Sequence, residues 1–439
     1  MALATVTAQN EAEAGHAPAS PSATWTLWTR IVFRFGFIYW LLYSMPIPGV
    51  FRFRFVDRDG LAIVWHNVVP WFAKHFLNQD LVAVGFQGAG DSAFNYARAL
   101  LFVVLAAVGT ALWSLAARKS SGHPTLHAWL RLYLRLGLGA AMVTYGVAKL
   151  LTGQFAATPS FAELLRTYGD SSPMGLLWTF MAASRPYVLF TGLAEVLGGA
   201  LLFVPRLATL GALICAASLT NVLMLNMSYD VPVKLYSFHL LLKAVFLLAP
   251  DAPRLAALLV FNRPVDPARP QRLFAMNALN RGIVAFQILF GVWAFAGAYA
   301  DALATVNYRA AGPGTPFYGV WFVDEYSVDG QIRKPVITDE TIWARMVIEL
   351  PDQIAIQTAN GSLRRFITRR ERGPSVAALQ DIDNAKSTAK LTFSGSGADR
   401  LTVDGEIDGH QVRAVLHREQ RKFLLTTRGF HWISTPFNR

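Results

Sequence analysis

Four apolar runs decide the fold: LRLYLRLGLGAAMVTYGVAKLL (Leu130–Leu151), YVLFTGLAEVLGGALLFV (Tyr187–Val204), LATLGALICAASLTNVLMLNM (Leu207–Met227) and VKLYSFHLLLKAVFLL (Val233–Leu248). An α-helix rises about 1.5 Å per residue, so about 20 apolar residues cover the roughly 30 Å hydrocarbon core of a bilayer. Three of the runs meet or nearly meet that length, and the short Val233–Leu248 is expected to continue past Pro250. The region from His127 to Phe261 therefore reads as a core of four membrane helices.

The composition points the same way. Of 439 residues, 53% are hydrophobic and only 15% are charged, against roughly 25% charged in soluble domains. The net charge of +12 would suit nucleic acid. However, much of the Lys and Arg flanks apolar runs, as the positive-inside rule requires, so nucleic-acid binding is set aside. Cys215 is the single cysteine and lies inside an apolar run. It excludes a disulfide within the chain and a cysteine metal site, and reads as a small buried hydrophobe.

Working outward, Met1–Ala23 is Ala-, Ser- and Pro-rich and reads as a disordered tail. Ile31–Val50 reads as a first span and Ala97–Ala117 as a second. Between them Leu61–Phe76 is amphipathic and is expected at the membrane surface, with Trp65 and Trp71 at headgroup level. Gln87–Ser92 (QGAGDS) reads as an entry turn, with Asp91 or Ser92 capping the next helix. Beyond the core, Ile283–Tyr299 completes seven expected spans within a helical domain over residues 24–305. The connections Arg118–Arg131, Arg206 and Arg254–Arg281 are basic and fall on one side, which should be cytoplasmic. The expected location is a bacterial inner membrane, with the N-terminus cytoplasmic and everything after Tyr299 periplasmic.

From about Gly312 to Arg439 the pattern changes to period-two alternation broken by turns such as Pro351-Asp352, Asn360-Gly361 and Asp408-Gly409. Eight strands are expected: Phe317–Val328, Arg345–Glu349, Ile354–Thr358, Leu363–Arg370, Ala389–Ser394, Arg400–Ile407, Gln411–Arg418 and Lys422–Ile433. Eight sequential strands can close an up-and-down barrel that holds one small ligand. Gly319-Val-Trp321, with Arg421 or Arg428 late in the chain, resembles the Gly-x-Trp signature of lipocalin-type barrels. In that family the Trp closes the barrel floor and a late Arg packs on it. The expected fold class is thus a mainly α membrane protein with a C-terminal all-β, lipocalin-like barrel.

An ionisable group inside a bilayer is costly, which makes it a functional candidate. Tyr145 and Lys149 share a face at i and i+4 near the outer end of the third span. Glu195 lies mid-span in the fourth, followed by Gly198-Gly199, where helices can pack closely. Asn221 and Asn226 lie on the fifth, Asp230 in the outer connection, and Lys234 at the mouth of the sixth. Tyr236, His239 and Lys243 then form one helical stripe. Together these groups read as an outward-opening polar pocket. Plainer readings stay open: a Glu195–Lys243 ion pair, His239 as a satisfied core histidine, and Lys149 snorkelling to the interface. His123 and His127 are separated by Pro124 and lack a third ligand, so no metal site is expected.

The residues Tyr145-Gly-Val-Ala-Lys149-Leu150 with Gly153-Gln-Phe155, Ala194-Glu-Val-Leu-Gly-Gly199, the Pro205-Arg206 turn and Pro250-Asp-Ala-Pro-Arg254 resemble the DoxX family. The same order of features is similar to the horizontally transferred transmembrane (HTTM) domain of vitamin K-dependent γ-carboxylases. The resemblance covers about Leu130–Val265, with the DoxX-like core at 127–265. It implies a quinone or other apolar substrate, Lys149 as the base, and membrane redox or carboxylase-like chemistry with a periplasmic redox partner. His239 and Glu195 would be the polar partners of Lys149. Two functions remain open: such an enzyme or redox subunit, and a non-enzymatic lipid or small-molecule carrier that uses the barrel.

Overall fold

The computed structural model describes residues 25–45, 58–81, 90–267, 273–371, 376–384, 386–395 and 398–433. The expected N-terminal tail, the Pro46–Val50 end of the first run and the Gln87–Ala89 part of the entry turn lie outside these residues. The chain divides into two compact units, the first drawn from residues 1–88, 92–134 and 271–280, the second from 89–91, 135–270 and 281–439.

The first unit holds α1 (Leu27–Ser44), α2 (Arg58–Leu77), α3 (Ala93–Ala116) and the opening turns of α4 (Pro124–Leu150). Thr26 and Ser92 cap α1 and α3, accepting from the amides of Thr29 and Asn95. The amphipathic run expected at the membrane surface is α2. Val69, Phe72 and Ala73 of this helix pack on Phe94, Ala97 and Leu101 of α3, while Trp71 is exposed. Arg34 is buried and donates to Ser114 Oγ (2.9 Å), the Ala117 carbonyl (3.1 Å) and His123 Nε2 (3.3 Å), which ties α1 to the α3–α4 connection.

The second unit holds the rest of α4, then α5 (Phe161–Leu165), α6 (Pro173–Ala183), α7 (Arg185–Leu202), α8 (Ala208–Ser228) and α9 (Lys234–Leu248). As expected, the last of these continues past Pro250, through a 3-10 turn into α10 (Ala252–Leu259); α11 (Asn277–Ala310) follows. Helices occupy all seven positions expected of spans. Four are long and apolar enough to cross a bilayer: Ala93–Ala116, Pro205–Ser228, Lys234–Leu259 and Asn277–Gly314. The other three, α1, α4 and α7, have their hydropathy lowered by Arg30 and Arg34, by Arg131, Arg135 and Lys149, and by Arg185 and Glu195.

Small residues set how closely these helices approach. A Cβ on Gly146 would lie 2.7 Å from the Gly192 carbonyl oxygen, and one on Gly199 would lie 2.8 Å from that of Gly139. Glycines seven apart on α4 thus meet glycines seven apart on α7, backbone to backbone, as small-residue crossings do. The neighbouring Gly198 faces α8 instead, where a Cβ would lie 2.9 Å from Cys215 Sγ. The adjacent pair lets α7 pack tightly against two helices at once.

Beyond the 3-10 turn at Gly312–Gly314 the chain forms a closed antiparallel barrel. Its strands are β1 (Gly319–Val328), β3 (Trp343–Leu350), β4 (Gln353–Thr358), β5 (Leu363–Glu371), β6 (Val376–Asp381), β7 (Thr388–Gly395), β8 (Arg400–Ile407) and β9 (His410–Arg418), and β2 (Gln331–Ile332) is a flap on β1. The strands pair in chain order and β1 pairs with β9, so eight of them close the ring. Two strand expectations are corrected. Val376–Asp381 is a strand although two alanines weaken its β-propensity, because Ala377 and Leu379 point inward. Lys422–Ile433 is not a strand: closure by β9 leaves no edge to join, and residues 424–427 form one short helix, α12 (Leu424–Thr427).

Trp321 is buried at 1% exposure, and its indole N–H donates to the Phe317 carbonyl (2.7 Å). The guanidinium over its ring belongs to Arg418, 4.6 Å from the ring centroid, and not to Arg421 or Arg428. Arg421 lies over Phe423 instead. Gly319 has φ +135°, and a Cβ there would stand 2.7 Å from Arg418 Nη1, so glycine is required at the opening of β1. The barrel interior is filled by Trp321, Met346, Ile356, Phe366, Leu391 and Leu401. A cleft at its mouth, beside Phe317 and Phe393, has room for about one water molecule.

Candidate functional site

Lys149 sits one residue before the end of α4, where the expectation of a snorkelling lysine would have it extend away from the neighbouring helices. Here it does the opposite. A helical side chain leans toward the N-terminus of its helix, which in α4 leads back along the α7 crossing. Gly192 leaves the space for it, since a Cβ there would lie 2.9 Å from the Lys149 Cβ. The ammonium donates to both Glu195 carboxylate oxygens at 2.5 Å. Both residues are buried, at 5% and 3% exposure. The pair is therefore Lys149–Glu195, which corrects the Glu195–Lys243 alternative.

The backbone around Lys149 is held by groups that the sequence did not single out. Arg185, opening α7, donates to the carbonyls of Lys149 (3.0 Å) and Leu150 at the end of α4, and the Lys149 carbonyl also accepts from the Thr152 amide (3.2 Å). Arg309 of α11 likewise donates to the Thr152 carbonyl. A cation just before the fourth run was the available signal, but it reads equally well as a topology charge.

Tyr145 is half-buried on the Lys149 face, with its ring 6.2 Å from that of Tyr236 on α9. This contact links the face of α4 that carries the lysine to the expected stripe of α9. His239 and Lys243, further along the stripe, are buried at 4% and 5%. His239 Nδ1 lies 2.7 Å from the Leu235 carbonyl oxygen. A carbonyl only accepts, so Nδ1 carries a proton.

The remaining candidates fall into two groups. Asn226 is buried and donates to Ser237 Oγ (3.0 Å), fastening α8 to α9. Asp230 is exposed in the α8–α9 turn and accepts from Lys234 Nζ (2.7 Å), and Asn221 is exposed on α8. These last three residues are therefore not members of the buried group. The entry-turn expectation divides: Ser92 caps its own helix, whereas Asp91 caps α9. The Asp91 carboxylate accepts from the amides of Lys234 (2.8 Å) and Leu235 (2.9 Å). An anion at a helix N-terminus is favourable, and here it also pins a segment more than 140 residues away in sequence.

The polar side chains on α4, α7 and α9 thus comprise the buried Lys149–Glu195 pair, the half-buried Tyr145 and Tyr236, and, further along α9, the buried His239 and Lys243. Such groups can accept and donate protons within an apolar wall. No protein-family model matches the chain, and no solved structure does. The uncharacterized protein YwoB of Bacillus subtilis (strain 168) is 34% identical to it over 117 residues, 27% of this chain and 73% of YwoB. On that identity and coverage, the chain belongs to the family of YwoB.

Proposed function

We propose that all seven helices cross the bilayer in an arrangement of the DoxX and HTTM type, and that the Lys149–Glu195 pair acts on a quinone or comparable apolar molecule entering between them. The buried bidentate ion pair carries this reading. A charge pair taken out of water gains little stability over well-packed apolar residues, so its presence in a membrane bundle points to a role in chemistry. The substrate would be the reduced, quinol form, or a comparable molecule with an apolar body and an acidic hydroxyl. Glu195 takes the hydroxyl proton and becomes neutral, and the Lys149 ammonium transfers its attachment from the carboxylate to the new oxyanion. The proton and both charges are accounted for within the pair. Tyr145 and His239 offer hydrogen bonds to a polar headgroup; redox or carboxylase-like steps would follow on the activated anion.

The alternative, a carrier that stores its ligand in the barrel, finds less support, because the interior is filled by aromatic and aliphatic side chains. To test the proposal, protein in lipid nanodiscs is titrated with short-chain benzoquinols, kept reduced under anaerobic conditions, following quenching of its tryptophan fluorescence. Saturable quenching by the wild type that weakens at least tenfold in Glu195→Gln is the expected result. Equal quenching in both proteins would remove the pair from the binding site.

A further inference from the structure

The segment after β9 leaves the barrel at one end. Arg418 closes β9, and the Glu419 amide donates to the Val320 carbonyl (2.8 Å) at the start of β1. Phe423 then packs beside Leu165, Val320 and Val347, where α5 lies against the barrel wall. This is the end that β1 enters from α11, and there Tyr308 of α11 donates to Asp352 in the β3–β4 turn. The segment therefore emerges beside the connections of the helical region.

From that point its apolar side chains are uncovered: Leu424 and Leu425 are 56% and 53% exposed, and Phe430, Trp432 and Ile433 are 78%, 92% and 85% exposed. The closed barrel has no edge for them to join. From Gln420 to Arg439 there is no Asp or Glu, while Arg421, Lys422, Arg428 and Arg439 are cationic. Leucines and aromatics interleaved with cations, and free of carboxylates, match the chemistry of segments that lie in the headgroup region of a bilayer. A second copy is a poorer occupant, because a two-fold contact sets the same patch against itself and would bring these cations together.

We propose that residues 421–433 seat on the surface of the bilayer that the helices cross, with Trp432 and its apolar neighbours at the acyl boundary and Arg421, Lys422 and Arg428 on anionic phospholipid headgroups. The inference rests on the membrane reading of the helices and is independent of the Lys149–Glu195 site. Seating there would hold the barrel against the membrane at the end where α5 and α11 meet it.

Cys215 is the single cysteine and is buried, which makes a site-specific test direct. In a Cys215→Ala background, Trp432→Cys is labelled with nitrobenzoxadiazole, and one copy is placed in each nanodisc. Lys386→Cys, in the turn between β6 and β7 at the other end of the barrel, serves as the reference. The expected result is blue-shifted, enhanced emission at position 432 in phosphatidylglycerol-containing discs, weaker in pure phosphatidylcholine, and water-like emission at 386. Replacing Arg421, Lys422 and Arg428 by Gln should lower the seated-to-free ratio roughly fivefold for each cation removed. The proposal is overturned by emission at 432 that matches 386 in both lipids, by a shift that ignores lipid charge, or by a shift that appears only with two copies per disc.

Discussion

Lys149 and Glu195 are each conspicuous in an apolar sequence, and their partnership makes a specific energetic prediction. Removing one partner leaves the other charge buried and uncompensated, at a cost of about 3–5 kcal/mol, whereas replacing both with apolar residues of similar volume is close to neutral. Lys149→Met or Glu195→Leu alone should therefore lower the thermal midpoint sharply, and the double variant should recover most of the loss. Single variants as stable as the wild type would mean that the pair does not form. The sequence marked both residues, because ionisable groups inside apolar runs stand out. It did not show which lysine meets Glu195. Depth along span six favoured Lys243, while the actual partner is set by the α4–α7 register at Gly139, Gly146, Gly192 and Gly199. That register belongs to two helices together and is not visible in either alone.

Among the elements, α5 shows how the barrel is tied to the loop between α4 and α6. The Glu349 carboxylate on β3 accepts from the Phe161 amide (3.0 Å), and Gln357 Nε2 donates to the Leu165 carbonyl (3.0 Å). Burial pushes the Glu349 carboxyl up from 4.5 to about 7, although the Phe161 amide acts in the opposite direction. A carboxyl that holds its proton more tightly when folded favours the fold at low pH, and this contribution fades as pH rises from about 4.5 through 7. Between pH 5 and pH 8 the wild-type thermal midpoint should fall more than that of Glu349→Gln; parallel curves would contradict the assignment. Most strands were legible from alternation, and β8 coincides with its expected bounds. The misses are physical. Val376–Asp381 gains its place from inward Ala377 and Leu379 despite weak propensity. Lys422–Ile433 has strand-forming residues and no open edge.

For the whole molecule, four helices carry the membrane signal by length and apolarity, and the other three trade hydropathy for charges. Arg34 of α1 and Glu195 of α7 are buried among these charges. A helix that buries charged side chains against its neighbours can cross a bilayer with a lower mean hydropathy, so a length-and-apolarity reading would miss such a helix if it crosses. If all seven cross, reporter fusions at Gly122 and after Arg439 should report opposite sides, with Gly122 cytoplasmic. The same side for both would end the seven-span arrangement. The central claim is that the Lys149–Glu195 site holds an apolar molecule drawn from the bilayer. Its most direct measurement is solvent extraction of the purified protein followed by mass spectrometry, wild type against the Lys149→Met/Glu195→Leu double variant. A quinone-class molecule in near-stoichiometric amount is expected from the wild type, and its loss from the equally folded double variant. Extracts of identical composition, holding only bulk phospholipid, would contradict it.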